Sequence, residues 1–227
     1  MKRLFILINC LLLSGVALAQ NTTLSADEMY SKANELAKAG GHTQAVEWYQ
    51  KAAEEGCLDA MVALGACYYH GRGVEQDYAQ AVAWFRKAAE QGDADAQCYL
   101  GVCYCFAQGV EQDYAQAVEW LRKSAEQGNA AALNNLGACY YNGRGVEQDY
   151  AQAVAWFRKA AEQGDAVAQC NLGDKYYFAQ GVEKDYSQAV YWYRKAAEQG
   201  NAEAQSDLGV CYYHGCGVEQ DYAQAVE

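Results

Sequence analysis

Proline is absent from all 227 residues, which rules out proline-rich linkers and collagen-like order. Basic residues are scarce: 17 Lys and Arg face 29 Asp and Glu, a formal net charge of −12. A chain this acidic repels phosphate backbones and anionic lipid surfaces, so nucleic acid is excluded as an expected partner. There are only three histidines, His42, His70 and His214. No Ser-x-x-Lys, Gly-x-Ser-x-Gly, phosphate loop or His-Glu-x-x-His occurs, and Cys67 with His70, a thiol and a base at i and i+3, has no evident orienting third group, so an enzyme is not expected. No segment alternates polar and apolar residues with period two, so no strands are expected. What is abundant is 19 tyrosines, 21 glycines and a hydrophobic fraction of 52%, enough for a sizeable core and unlike a disordered chain.

The first nineteen residues differ from the rest. Lys2 and Arg3 precede an apolar run from Leu4 to Leu13, and Ala17-Leu18-Ala19 supplies small residues for cleavage. That is the layout of a secretory signal peptide, with export to the periplasm or beyond after cleavage near Ala19. The rival, an uncleaved anchor, is disfavoured by Asn9 and by the shortness of the run. Loss of Lys2 and Arg3 moves the net charge from −12 to −14. No later stretch predicts membrane insertion.

A period of 36 organises everything that follows. Trp48, Trp84, Trp120, Trp156 and Trp192 keep that step, as do Leu64-Gly65, Leu100-Gly101, Leu136-Gly137, Leu172-Gly173 and Leu208-Gly209. Each unit reads as two helices. Asp93, Asn129, Asp165 and Asn201 follow a glycine and are suited to cap a first helix. The second helix opens on Asp77-Tyr78-Ala79-Gln80, a capping-box variant in which Gln80 reaches back to the cap amide. Ala81, Trp84 and Ala88 then recur at helical spacing. The glycine after each leucine sits in mid-helix, where it costs about 1 kcal/mol against alanine. Close approach of the paired helix, with tryptophan and tyrosine at the sides, accounts for it.

The expected fold is all-α, a solenoid of antiparallel helix pairs. The expected order is a signal peptide (1–19), a divergent capping pair (20–56), units at 57–92, 93–128, 129–164 and 165–200, and a partial unit at 201–227. The last unit stops before its tryptophan position, as in a truncated product, and Asp221 to Glu227 is expected to fray.

These residues resemble the Sel-one-like repeat, a 36-residue relative of the tetratricopeptide repeat, through Ala-x-Ala-Gln, Leu-Gly-x-x-Tyr, Gly-x-Gly-Val, Asp-Tyr, Ala-x-x-Trp and Lys-Ala-Ala-Glu-Gln-Gly. The resemblance covers the chain from Ser25 onward. It implies a right-handed superhelix and a role as adaptor or scaffold in protein complexes, not as an enzyme. A cysteine-rich secreted branch of that family joins cysteines eight residues apart. Here the helix-end positions, Ala89 and Ala125 among them, and the positions eight further on, Gln97 and Leu133 among them, hold no cysteine, so that pairing does not carry over.

Variation between units concentrates along one side of the first helix. In the first full unit this stripe is Asp59, Val62, Ala66, Tyr69 and His70, and in the next Asp95, Cys98, Val102, Cys105 and Phe106. Then follow Ala131, Asn134, Ala138, Tyr141 and Asn142; Val167, Cys170, Asp174, Tyr177 and Phe178; and Glu203, Ser206, Val210, Tyr213 and His214. Spacings of 3, 4, 3 and 1 place each set on one face. In the tetratricopeptide relative that face lines the concave side, which implies a tyrosine-rich groove for an extended peptide or a partner helix. Neutral drift at exposed positions is the competing explanation of the variation. The alternative function is a small-molecule or cell-wall-fragment binder with weak hydrolytic activity.

Nine of ten cysteines lie beyond the signal segment. Cys67, Cys103, Cys139 and Cys211 recur at one position, which Lys175 takes in the remaining unit. They are expected to be buried thiols too far apart for bridging, because equivalent positions are separated by an intervening helix. Cys211 and Cys216 form the one local pair within conceivable reach. Cys67-x-x-His70 and Cys211-x-x-His214-x-Cys216 each lack the further ligands a metal requires, so neither metal nor cofactor is expected.

Overall fold

The computed structural model describes residues 24–226. It contains eleven α-helices of 13 residues each: α1 (Ala26–Lys38), α2 (His42–Glu54), α3 (Leu58–His70), α4 (Tyr78–Glu90), α5 (Ala94–Phe106), α6 (Tyr114–Glu126), α7 (Ala130–Asn142), α8 (Tyr150–Glu162), α9 (Ala166–Phe178), α10 (Tyr186–Glu198) and α11 (Ala202–His214). A short 3-10 helix follows at Gln224–Val226. Among the described residues there is no strand, and no helix is long and apolar enough to cross a membrane. The signal peptide expected at 1–19 lies outside the described residues.

Odd-numbered helices are the first members of each pair and even-numbered ones the second. Successive helices pack in chain order, and α5 and α7 also touch directly. First helices of neighbouring units therefore lie side by side, with no helix intervening as the cysteine argument had assumed.

Capping explains the uniform helix length. Asp93, Asn129, Asp165 and Asn201 each accept a hydrogen bond from the amide three residues on. At the start of α4, the Asp77 carboxylate accepts from the amides of Ala79 and Gln80. The Asp77 amide, however, donates to the Tyr68 carbonyl at 3.0 Å, and Asp113, Asp149 and Asp185 repeat this with Tyr104, Tyr140 and Tyr176. The back-reach expected of Gln80 is thus replaced by a bond that ties the second helix to the last turn of the first. A full capping box does occur, in α1, where Ser25 and Glu28 bond reciprocally.

The mid-helix glycines are contact points, but tryptophan is not what touches them. A Cβ on Gly65 would lie 2.6 Å from Phe85, on Gly101 2.7 Å from Leu121, on Gly137 2.8 Å from Phe157 and on Gly173 2.6 Å from Tyr193. The residue after each tryptophan is the one seated on glycine, and Phe85, Leu121, Phe157 and Tyr193 are almost wholly buried. The tryptophans stay half-buried with a lysine ammonium above the ring, as Lys87 over Trp84 at 4.1 Å and Lys159 over Trp156 at 4.3 Å. The arrangement suits an amphipathic ring at the edge of a core.

Units are locked together by two further ladders. Arg86, Arg122, Arg158 and Arg194 donate to the hydroxyls of Tyr104, Tyr140, Tyr176 and Tyr212 in the following unit. The second glycine of each turn, such as Gly109 at φ +73°, rests against backbone at the start of the preceding unit's second helix; a Cβ there would stand 2.2 Å from the Tyr78 carbonyl oxygen.

Candidate interaction groove

The variable stripe positions of the first helices gather on one face. An indentation of about 480 Å³ runs across α1, α3, α5 and α7 on this face. Its walls include Asp59, Val62, Ala66 and Tyr69 from α3, Asp95, Cys98 and Val102 from α5, and Ala131 from α7. Three of the five stripes read from the sequence are thus juxtaposed along one cleft. Tyr30 of the divergent first pair closes one end.

A column that the sequence reading passed over completes the floor. Ala63, Tyr99 and Asn135 line the same indentation. From Tyr99 on, this residue meets the stripe residue of the unit before. The Tyr99 ring stands 6.0 Å from that of Tyr69, Asn135 lies beside Cys98, Asn171 donates to Asn134 at 2.9 Å, and the Cys170 thiol points at Asp207 at 3.9 Å. The signal was present in the sequence, since this position reads Ala63, Tyr99, Asn135, Asn171 and Asp207.

The tyrosines of the stripe behave less like free recognition groups than the sequence implied. Tyr69 donates to Gln108 Oε1 at 2.6 Å, and Tyr141 to Gln180 Oε1 at 3.1 Å, each reaching into the next unit's turn. The Tyr69 and Tyr141 hydroxyls strut one unit against its neighbour. Burial and then the neighbouring Cys216 thiol push the Tyr177 hydroxyl up. Where the column changes to Cys105, the side chain is buried and meets the Cys139 thiol on α7 instead.

The helix-end residues His70, Phe106 and Asn142 are not among those lining the indentation. Phe106 and Phe178 are exposed, His70 and His214 stand edge-on to Tyr69 and Tyr213, and Asn142 bonds back to the Ala138 carbonyl. Tyr213 and His214 border a second indentation of about 450 Å³ with Ser206 and Val210. Asp174 is drawn partly inward, accepting the Tyr193 hydroxyl at 2.8 Å. Burial raises its pKa, and burial together with Asp174 pushes the Tyr193 hydroxyl up.

The cysteine column is buried at Cys103, Cys139 and Cys211 and half-buried at Cys67. Burial pushes the thiols of Cys103 and Cys211 to about 12, and raises Cys67 too, so all three stay protonated at neutral pH and are poor nucleophiles. Lys175 occupies the same buried position. Its ammonium sits 3.7 Å over the Tyr141 ring and donates to Gln180 at 3.1 Å, while desolvation lowers its pKa. Cys211 and Cys216 are both free thiols, and Cys216 donates its amide to the Cys211 carbonyl. Among the described residues, no three His, Cys, Asp or Glu side chains converge as a metal site.

The chain is 34% identical to a Sel1 repeat protein from Oxalobacter formigenes over 89% of this chain and 82% of that one, with a TM-score of 0.83. It is 40% identical to a protective antigen of uropathogenic Escherichia coli strains displaying an SLR fold, with a TM-score of 0.79, over 88% of this chain and 44% of that one. The chain thus spans less than half the length of that antigen. An immunity protein from Pseudomonas aeruginosa is 27% identical over 88% of this chain and 78% of that one, with a TM-score of 0.61. No curated protein matches at a significant level. Repeats of this kind generally mediate protein–protein interaction and are generally not enzymes. The Sel1 repeat profile matches residues 41–57, 58–93, 94–129, 130–165, 166–201 and 202–227, and with helix pairs, seated glycines and stacked first helices in register with it, the chain belongs to the Sel1 repeat family.

Proposed function

We propose that this protein is an exported binding module that holds a protein partner in the groove on its first helices. The observation that carries the reading is the continuous indentation across α1, α3, α5 and α7, floored by Val62, Ala66, Tyr99 and Val102 and rimmed by carboxylates. Most of the channel's residues stand at positions that vary between units, while the packing residues repeat. An extended segment fits a surface built from parallel stripes at regular spacing. Export is supported by the leader-like sequence at 1–19.

A photocrosslinking side chain placed at Ala131, which is exposed and lines the groove, tests the reading against one at Ala155 on the outer face of α8. Adducts with a defined protein are expected from the first site and not the second, in the cell envelope fraction. Equal labelling from both sites contradicts the groove. A mature N-terminus at Gln20, read by mass spectrometry, is the expected sign of export. The volume of about 480 Å³ also falls within the range of small-ligand pockets, which keeps a cell-wall fragment as a second reading. A thermal shift on glycan fragments without any protein adduct favours it.

A further inference from the structure

From α3 onward the helix lysines and arginines sit on second helices, with one exception, Lys175. Helices α4, α6, α8 and α10 each carry an Arg-Lys pair, at Arg86-Lys87, Arg122-Lys123, Arg158-Lys159 and Arg194-Lys195. Those cations are committed to tryptophan and tyrosine rings and hydroxyls on the side away from the groove. The groove helices α3, α5, α7, α9 and α11 hold a single cation, Lys175, buried over Tyr141. Against it stand Asp59, Asp95, Asp174, Glu203 and Asp207.

None of those five carboxylates forms an ion pair; the one ion pair among the described residues is Lys123 with Glu119 on α6. Asp59 and Asp95 flank an apolar floor in the indentation already described, joined there by the capping Asp93. Asp174, Glu203 and Asp207 lie on α9 and α11, outside that indentation; burial and then the charges of Asp174 and Glu203 push the Asp207 carboxyl up to about 6. Towards α7 the lining of the indentation is neutral, with Asn129, Ala131 and Asn135.

We infer that the groove across α1, α3, α5 and α7 takes a cationic extended peptide, with a Lys or Arg side chain set against Asp59 and Asp95 and small or apolar residues beside it. This deepens the groove reading and rests on it. First helices spaced about 8–10 Å apart put α1 and α7 roughly 24–30 Å from one another, the reach of about 7–9 extended residues. A cation in the N-terminal indentation meets Asp59 and Asp95 next to apolar surface that favours its alkyl stem. An acidic segment, or a carboxylate-bearing glycan, is repelled by the same carboxylates.

The test is selection of a random twelve-residue displayed peptide library on the intact protein, with the recovered peptides measured by fluorescence anisotropy. A recovered pool enriched in Lys and Arg is expected, bound roughly tenfold more weakly by Asp59→Asn/Asp95→Asn and no more weakly by Glu126→Gln/Glu162→Gln, which removes equal charge outside the groove. Equal weakening by both pairs reduces the effect to net charge and overturns the proposal. A neutral or acidic pool whose binding is lost in Ala131→Trp, with helicity intact, overturns the cationic ligand while the groove survives. A pool indifferent to Ala131→Trp, or no enrichment at all, overturns both.

Discussion

Substituting Gly137 by alanine sets two effects of opposite sign against each other. Alanine gains about 1 kcal/mol of helix propensity over glycine at a mid-helix position. The added Cβ would meet Phe157 Cδ1 and Cε1 at 2.8 Å and the Ala153 carbonyl oxygen at 3.2 Å. Phe157 is 2% exposed, so its ring has no open volume to turn into. Overpacking of this kind typically costs 1–3 kcal/mol, with a backbone oxygen blocking relaxation along the other direction. The overlap should win, leaving Gly137→Ala about 1–2 kcal/mol less stable in urea unfolding followed by circular dichroism at 222 nm. Phe157→Ala alone should lose about 3–5 kcal/mol through its cavity. In that background the same Gly137→Ala change should turn neutral or stabilising by about 0.5 kcal/mol, since the ring is gone and the propensity remains. A stabilising Gly137→Ala in the wild-type chain, or the same loss in both backgrounds, would refute the seated-glycine account.

Four further outcomes follow from the same packing. Ala107 and Ala179 are left-handed at φ 56° and 58°, where equivalent turns have Gly71, Gly143 and Gly215, so Ala107→Gly and Ala179→Gly should each raise stability by about 0.5–1 kcal/mol. Two residues on, Gly109→Ala places a Cβ against the Tyr78 carbonyl and should cost more than 3 kcal/mol, detaching unit from unit; scattering should show the expansion. Asp207 has a folded pKa raised to about 6, so the native state binds more protons than the unfolded chain between about pH 4 and 6, and its penalty grows as pH rises through that window. Asp207→Asn should therefore stabilise the protein by about 1 kcal/mol at pH 7.5, allowing for solvent screening at this half-exposed carboxylate, and by little at pH 4; equal gains at both pH values would contradict this. Tyr69→Phe removes the strut to Gln108 and should cost about 0.5–1.5 kcal/mol by denaturant titration.

The periodic features were legible because a solenoid repeats its packing and therefore its residues. Leu100, Cys103 and Tyr104, at i, i+3 and i+4, announced an apolar first-helix face; Leu100 and Cys103 are fully buried, while Tyr104 is half-buried with its hydroxyl on Arg86. Asp93 and Asn129 announced helix starts, and their side chains make the bonds expected of caps. The misreadings came from features that a local motif does not encode. Trp84 is half-buried beside the core, and Phe85, which no motif marks, fills the glycine seat. The Asp77 amide finds the Tyr68 carbonyl nine residues back, a partner set by the turn's geometry and not by the capping-box spacing. Tyr99 and Asn135 were missed as groove residues because they contact the preceding unit, a relation that appears only when first helices lie side by side. The tyrosine hydroxyls were misweighed for the same reason, since Gln108 and Gln180 are 39 residues away in sequence.

The claim on which the account turns is that partners enter along α3, α5 and α7. Backbone amide shift changes in the isotope-labelled protein, on addition of a peptide recovered from the library, test it most directly. The account predicts the largest changes at Val62, Ala66, Tyr99, Val102 and Asn135, with the outer helices α4, α6 and α8 nearly silent. Changes centred on those outer helices, around Trp84, Trp120 and Trp156, would contradict it.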